Sequence, residues 1–155
     1  MDDLRELYQE IILDHGKRPR NHRHPADANR SAKGDRPRCG GRVAVYLTVG
    51  DAGERRDAAF EGRGCAISTA SASMMTEIVK GKTEAEVHSL FQRFHAMCTE
   101  DSAAGDKLAE LDPDAYERLR VLAGVRQFPM RVKCAPLAWH TLEAALAGAN
   151  VVSTE

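Results

Sequence analysis

The sequence predicts an α+β fold: a small antiparallel sheet early in the chain, with helices that follow and pack on one of its faces. Two patterns predict this. Residues Arg42 to Val49 alternate strictly, with Val43, Val45, Leu47 and Val49 on one face and Arg42, Ala44, Tyr46 and Thr48 on the other. After Cys65 the apolar residues recur at helical spacing almost to the end of the chain. Strands that come before a run of helices argue for α+β and against an alternating α/β sheet. The 155 residues suit one domain with one core, 1–155, and no linker or repeat interrupts them.

Leu4, Leu7, Tyr8, Ile11 and Ile12 form the stripe of a surface helix, with Asp3 and Glu6 as a capping-box-like start and Gly16 as a stop. The segment from about Lys17 to Arg38 is basic, rich in His, Asn and Pro, and has no period. It reads as a long loop holding at most one short irregular strand. The alternating strand follows, then the turn signal Gly50-Asp51-Ala52-Gly53, then a second strand from about Arg55 to Glu61 with Ala58 and Phe60 inward. Together they make a hairpin with Cys39 and Cys65 just outside its open end.

Ile67, Ala70, Met74, Met75, Ile78 and Val79 predict a second helix that ends at Gly81. Thr83 and Glu86 cap a third carrying Val87, Leu90, Phe91, Phe94 and Met97. Thr99 to Gly105 reads as a polar loop, and Pro113 to Gly124 as a helix with Leu119 and Leu122 inward, broken by Gln127-Phe128-Pro129. The last helix, from about Cys134 to Ala149, presents Leu137, Ala138, Thr141, Leu142 and Leu146.

A hydrophobic fraction of 43% with 29% charged residues is that of an ordinary soluble globular chain, and a net charge of -1 gives no general attraction to nucleic acid or to an anionic membrane. The acidic start Met1-Asp2-Asp3 lacks the cationic region and apolar run of a signal peptide, and no stretch approaches the roughly 20 apolar residues of a membrane span. The expectation is a cytoplasmic protein whose thiols stay reduced, so its cysteines are read as ligands, nucleophiles or core residues.

Three of the four cysteines stand at backbone breaks beside glycines or cations: Arg38-Cys39-Gly40-Gly41, Arg63-Gly64-Cys65 and Lys133-Cys134-Ala135. Such surroundings lower a thiol pKa, and Cys65 and Cys134 each precede a helix whose N-terminus favours negative charge. These thiols are expected to be exposed. Three gathered thiolates would suit zinc or an iron–sulfur cluster. Spacing alone leaves the shared site open, because it matches no CxxC signature and a buried small hydrophobe is the competing reading. Cys98 ends an apolar stripe and reads as a core residue. Among the histidines, His22 and His24 read as solvated, and His88, His95 and His140 have no partner motif. No His-plus-acid set marks a cysteine hydrolase.

The motifs, taken in order, resemble the IscU/SufU/NifU N-terminal family of iron–sulfur cluster assembly proteins, nearest its SufU branch. The resemblance covers almost the whole chain. It rests on Leu7-Tyr8 through Asp14-His15, on Lys17-Arg18-Pro19-Arg20-Asn21, and on Pro37-Arg38-Cys39-Gly40. The most specific match is Phe60-Glu61-Gly62-Arg63-Gly64-Cys65-Ala66-Ile67-Ser68 continuing to Thr76, and Arg131-Val132-Lys133-Cys134-Ala135 completes it. The resemblance implies one metal site made by Cys39, Cys65 and Cys134, on loops at one end of the sheet. It implies zinc in SufU-type members and a transient [2Fe–2S] cluster in IscU-type members. Cys39 would accept sulfur from the persulfide of a cysteine desulfurase of the SufS type, with Arg131 and Lys133 helping to dock that partner. Such a chain is a sulfur acceptor or scaffold, at most a sulfurtransferase, and downstream apo-proteins are its other partners. Lys133, where IscU-type proteins carry a histidine, and the long segment from Val87 to Gln127 both favour the SufU type.

One position departs from the family pattern. The family reads Cys-Gly-Asp, with the aspartate as fourth ligand, and here Gly41 offers no side-chain donor. Asp35, His22, His95, water or a partner's side chain are the candidates for the open position. A purely structural zinc domain is the remaining alternative, and it predicts unfolding on chelation.

Overall fold

A computed structural model describes residues 2–36, 41–50, 55–99, 102–127, 134–148 and 151–153. Helix α1 (Asp2–Lys17) is followed by strands β1 (Arg30–Arg36), β2 (Gly41–Val49) and β3 (Arg55–Arg63), then helices α2 (Ala66–Val79), α3 (Glu84–Thr99), α4 (Ser102–Leu111) and α5 (Pro113–Leu119). A 3₁₀ helix (Arg120–Gln127), helix α6 (Leu137–Ala147) and strand β4 (Val151–Ser153) complete the order. The sheet order is β3-β2-β1-β4. β1, β2 and β3 pair antiparallel, and β4 lies parallel to β1.

The alternation read from β2 is the alternation observed. Val43, Val45 and Leu47 are buried with Phe60 and Ala58 of β3 against α2 and α6, while Arg42, Ala44, Tyr46 and Thr48 lie on the opposite face. Gly50 is described, but the turn at Asp51–Gly53 lies outside the described residues. Along the other edge of β3, Asn21 and Arg23 exchange backbone hydrogen bonds with Phe60 at 3.0 Å.

β1 corrects the expectation of a loop. All seven of its residues pair with β2, from Arg30↔Leu47 to Arg36↔Gly41. Among the described side chains its buried residues are Ala32 and Gly34, over which α6 packs closely. Small residues under a helix leave no hydrophobic signature to read. β4 also lacked a signal, since three residues are too few to show a period.

The helices follow their stripes with three differences. Ser102 to Gly105, expected as loop, already belongs to α4, whose Leu108 is fully buried. The predicted Pro113–Gly124 helix is α only to Leu119, with Asp112 accepting from Ala115 N–H as its cap, and continues as 3₁₀. α6 begins at Leu137, three residues after Cys134, because Cys134–Pro136 form a turn. Proline disfavours helical geometry at the residue before it, here Ala135, and Pro136 serves as the N-cap of α6. α1 runs through Gly16, read as its stop, to Lys17, and the side chains of Asp3 and Glu6 lie outside the described residues, while the third helix's box is as read. Thr83 and Glu86 bond reciprocally, Thr83 N–H to Glu86 Oε1 at 3.0 Å and Glu86 N–H to Thr83 Oγ1 at 3.3 Å.

α2 is the central helix, and it is buried on nearly every side. Ser71, Ser73 and Thr76 are buried with its apolar residues, so each hydroxyl needs a partner. Each has one: Ser73 meets His15 and Ser71 the Ala135 carbonyl, which tie neighbouring segments to α2, while Thr76 donates to the Ser73 carbonyl within the helix.

Candidate metal centre

Cys65 is the N-cap of α2, with extended backbone (φ -73°, ψ 167°), and its Sγ accepts the N–H of Ser68 at 3.5 Å. The side chain is half-buried. A thiolate here is favoured by the unpaired N–H groups and the positive end of the helix, an effect of about 0.3–1 kcal/mol.

The approach to Cys65 is made of close backbone contacts. A Cβ on Gly64 would lie 3.3 Å from Gly41 Cα and 3.4 Å from the Ser68 side chain. Gly41, the first residue of β2 and itself buried, is therefore packed against the turn that presents Cys65. At Gly62 (φ +155°) a Cβ would collide with the carbonyl oxygen of Arg42, so β3 hugs β2 here as only glycine allows. On the other side of the turn, a Cβ on Ala66 is 3.6 Å from where a side chain on Gly16 would start, which lets α1 close over the start of α2.

Cys134 differs from expectation. It is completely buried, where its basic neighbours suggested an exposed thiol. The turn that holds it is latched to α2, since Ser71 Oγ donates to the Ala135 carbonyl. Ser71 lies six residues into the chain from Cys65, about 9 Å along a helix. Cys98 is fully buried among Phe94 and Met97, as read from its stripe. Cys39, Arg131 and Lys133 lie outside the described residues. Among the described residues no three His, Cys, Asp or Glu side chains form a metal-binding group.

The three candidates for the fourth position are dispersed. Asp35 is half-buried on β1, aligned with Arg42. His22 is exposed at the β3 edge, edge-on to Phe60 at 5.1 Å. His95 lies between α3 and α6, 5.6 Å from the His140 ring and 5.8 Å from Phe91. On the same seam His88 Nδ1 lies 3.0 Å from both carboxylate oxygens of Glu143. His24 is exposed and stacks on Tyr46, with ring centroids 4.0 Å apart.

One polar network was not foreseen. His15 Nδ1 lies 2.7 Å from Ser73 Oγ, which also accepts the Arg20 N–H at 2.8 Å. Asn21 Nδ2 donates to Thr76 Oγ1 at 3.0 Å, and Asn21 adopts φ +57°, which asparagine tolerates better than most residues. Arg20 pairs with Asp14 at 2.7 Å, and that bond, first among the causes, lowers the Asp14 pKa. The network clamps the end of α1 and the turn after it onto α2. Its signal was faint: Ser73 and Thr76 are two of several hydroxyl residues in a helix that also carries Ser68, Thr69 and Ser71.

Burial, and then the charge of Arg20, lowers the His15 pKa, while burial and then His95 lower that of His140. Each folded histidine thus resists a proton that the unfolded chain accepts near its ordinary value of 6.5. The unfolded state then binds more protons as pH falls below that value, so stability is lost from about pH 6.5 downward until the folded pKa values are passed. Thermal unfolding midpoints should fall between pH 7 and pH 5, and His15→Gln with His140→Gln should flatten that slope. An equal slope in the double variant would remove these histidines from the account.

Residues 7–149 match the NifU-like N terminal domain family. The chain is 40% identical over 148 residues to the zinc-dependent sulfurtransferase SufU of Bacillus subtilis (strain 168), covering 94% of this chain and 92% of that protein. It is 36% identical over 147 residues to the iron–sulfur cluster assembly scaffold protein IscU of Streptococcus pyogenes serotype M1, covering 94% and 86%. Its structure superposes on FiSufU of Fervidobacterium islandicum AW-1 with a TM-score of 0.71 at 32% identity, covering 88% and 94% of the two chains. A NifU-like protein of Brucella abortus shares the fold, with a TM-score of 0.74 at 21% identity. The motifs that frame Cys39, Cys65 and Cys134, the architecture and these likenesses agree, and the chain belongs to the NifU-like N-terminal domain family, which includes the IscU and SufU proteins.

Proposed function

We propose that this chain works in iron–sulfur cluster assembly by taking sulfur from the persulfide of a cysteine desulfurase, of the SufS type, at a metal site made by Cys39, Cys65 and Cys134. One observation carries the reading. Cys65 caps α2 with Gly41 packed on the residue before it, and the Cys134 turn is latched to the same helix through Ser71. Cys39 stands two residues ahead of Gly41 in sequence.

A donor set of thiolates suits zinc, and the relative at 40% identity is named for zinc-dependent sulfur transfer. Zinc on these sulfurs would supply charge that keeps them deprotonated at neutral pH. The chain's own residues do the rest. Cys65 and Cys134 anchor the site. The Cys39 thiolate attacks the outer sulfur of the donor persulfide, a new S–S bond forms on Cys39, and the donor cysteine leaves as thiolate and takes up the persulfide proton. No net oxidation occurs. Arg131 and Lys133, flanking Cys134 in sequence, are assigned to partner docking. Gly41 leaves the fourth position to a group other than the family's aspartate.

The second reading is a scaffold on which a transient [2Fe–2S] cluster is built as cargo for apo-proteins. Its support is the relatives named IscU and the missing aspartate at Gly41. One pair of measurements separates the two. Zinc-loaded protein should raise sulfide release by a cysteine desulfurase by about tenfold or more. Anaerobic reconstitution with iron and sulfide should leave it without a lasting visible chromophore. No stimulation together with a stable chromophore would replace sulfur transfer by the scaffold.

A further inference from the structure

The outer face of the sheet carries a charge arrangement that folding does not favour. In the β2–β3 register Arg42 stands directly opposite Arg63, and both side chains are exposed. Directly opposed residues of an antiparallel pair share a face with Cβ atoms about 4.5–5.5 Å apart, where like charges repel. The close approach at Gly62 fixes this register, because the β3 backbone lies against the Arg42 carbonyl.

Neighbouring charges on the face are answered. Glu61 accepts from Tyr46 Oη at 3.0 Å and lies 4.0 Å from His24, and Asp57 takes both Arg23 and Lys80. Arg42 and Arg63 make no ion pair or side-chain hydrogen bond among the described residues. On β1 the outward Asp35 stands opposite Arg42 in register but makes no ion pair with it among the described residues, and Lys33 stands opposite Ala44. Arg42 thus stands between one opposed carboxylate, Asp35, and one opposed cation, Arg63, and the two guanidinium groups leave a net positive charge at this end of the face. Their place is specific: Arg42 follows Gly41, and Arg63 stands two residues before Cys65.

We propose that Arg42 and Arg63 form a two-guanidinium clamp for carboxylate side chains on the protein that delivers sulfur, an acidic patch on the cysteine desulfurase. This rests on the function proposed above. Guanidinium forks bind carboxylates in bidentate fashion, and charges at the rim of an interface act mainly on encounter and on its salt dependence. A small free anion is the weaker occupant. Both arginines are open to solvent, where salt screens a single pair, whereas a protein surface adds further contacts.

The test is the affinity of a cysteine desulfurase for wild type, for the double variant Arg42→Glu with Arg63→Glu, and for Arg42→Lys with Arg63→Lys, by biolayer interferometry at 50 and 300 mM salt. The charge reversal should weaken binding about tenfold or more at low salt and much less at high salt, and the lysine variant should retain most of the affinity. Circular dichroism melts check that the exposed substitutions leave the fold intact. Wild-type affinity in the reversal variant, or a loss that ignores salt, overturns the clamp, as does a wild type that does not bind the desulfurase. Sulfide release measured in parallel tests the function separately. A wild type that binds through these arginines without stimulating release keeps the clamp and overturns the sulfur-transfer reading.

Discussion

Cys39→Ala should return sulfide release to the rate of the cysteine desulfurase alone, with transfer of sulfur to this chain reduced by about a hundredfold or more. The size of the loss follows from the chemistry. Attack on a persulfide needs a thiolate, and neither alanine nor a nearby hydroxyl supplies an equivalent nucleophile at neutral pH. Cys98→Ala is the informative control, since Cys98 is fully buried in the core away from the α2 cap. It should lower stability while leaving sulfur transfer in place. The measurement is sulfide release, with mass spectrometry of the trapped persulfide. Full stimulation by Cys39→Ala removes the acceptor role from this residue. A loss of transfer in the Cys98 variant equal to that in the Cys39 variant would show that the assay reads stability.

Trp139→Ala should have the largest effect on folding. Trp139 is fully buried on α6, nearly parallel to Phe91 with ring centroids 6.2 Å apart, and 5.3 Å from Phe94. Removing a buried aromatic of this size costs about 3–5 kcal/mol, against a total stability of about 5–15 kcal/mol for a domain. For a chain of this length that corresponds to a fall in Tm of roughly 6–20 °C. Trp139→Phe should cost much less. The indole Nε1 is buried without a hydrogen-bond partner among the described residues, so phenylalanine removes an unsatisfied donor along with part of the ring. Calorimetry on the two variants checks this, and an alanine variant that melts with wild type would refute the packing argument.

What was legible in the sequence depended on how each element buries its side chains. β2 and α3 have one apolar face filled by large residues, and their periods gave both type and approximate bounds, while α2 is buried on nearly every side and was read from its Ile and Met stripe. β1 was illegible because its buried residues among the described side chains, Ala32 and Gly34, are small, with α6 packed closely over them. The start of α4 was obscured by the small and polar residues 102–107 ahead of the buried Leu108, which show no apolar period. At the site, Cys65 was placed correctly at a helix cap and Cys98 in the core. Cys134 was misjudged as exposed, because its charged neighbours in sequence are not its neighbours in space. The three-dimensional partner that buries its turn, Ser71, lies 63 residues away from it in the chain. Family likeness, carried by ordered motifs, reached further than any of these local signals.

The contact between Gly41 and Gly64 constrains position 64. With 3.3 Å separating Gly41 Cα from a would-be Cβ on Gly64, a side chain at 64 would press on the start of β2. Glycine at 64 thus keeps the turn that presents Cys65 tight against the start of β2, and a side chain there would push the two apart.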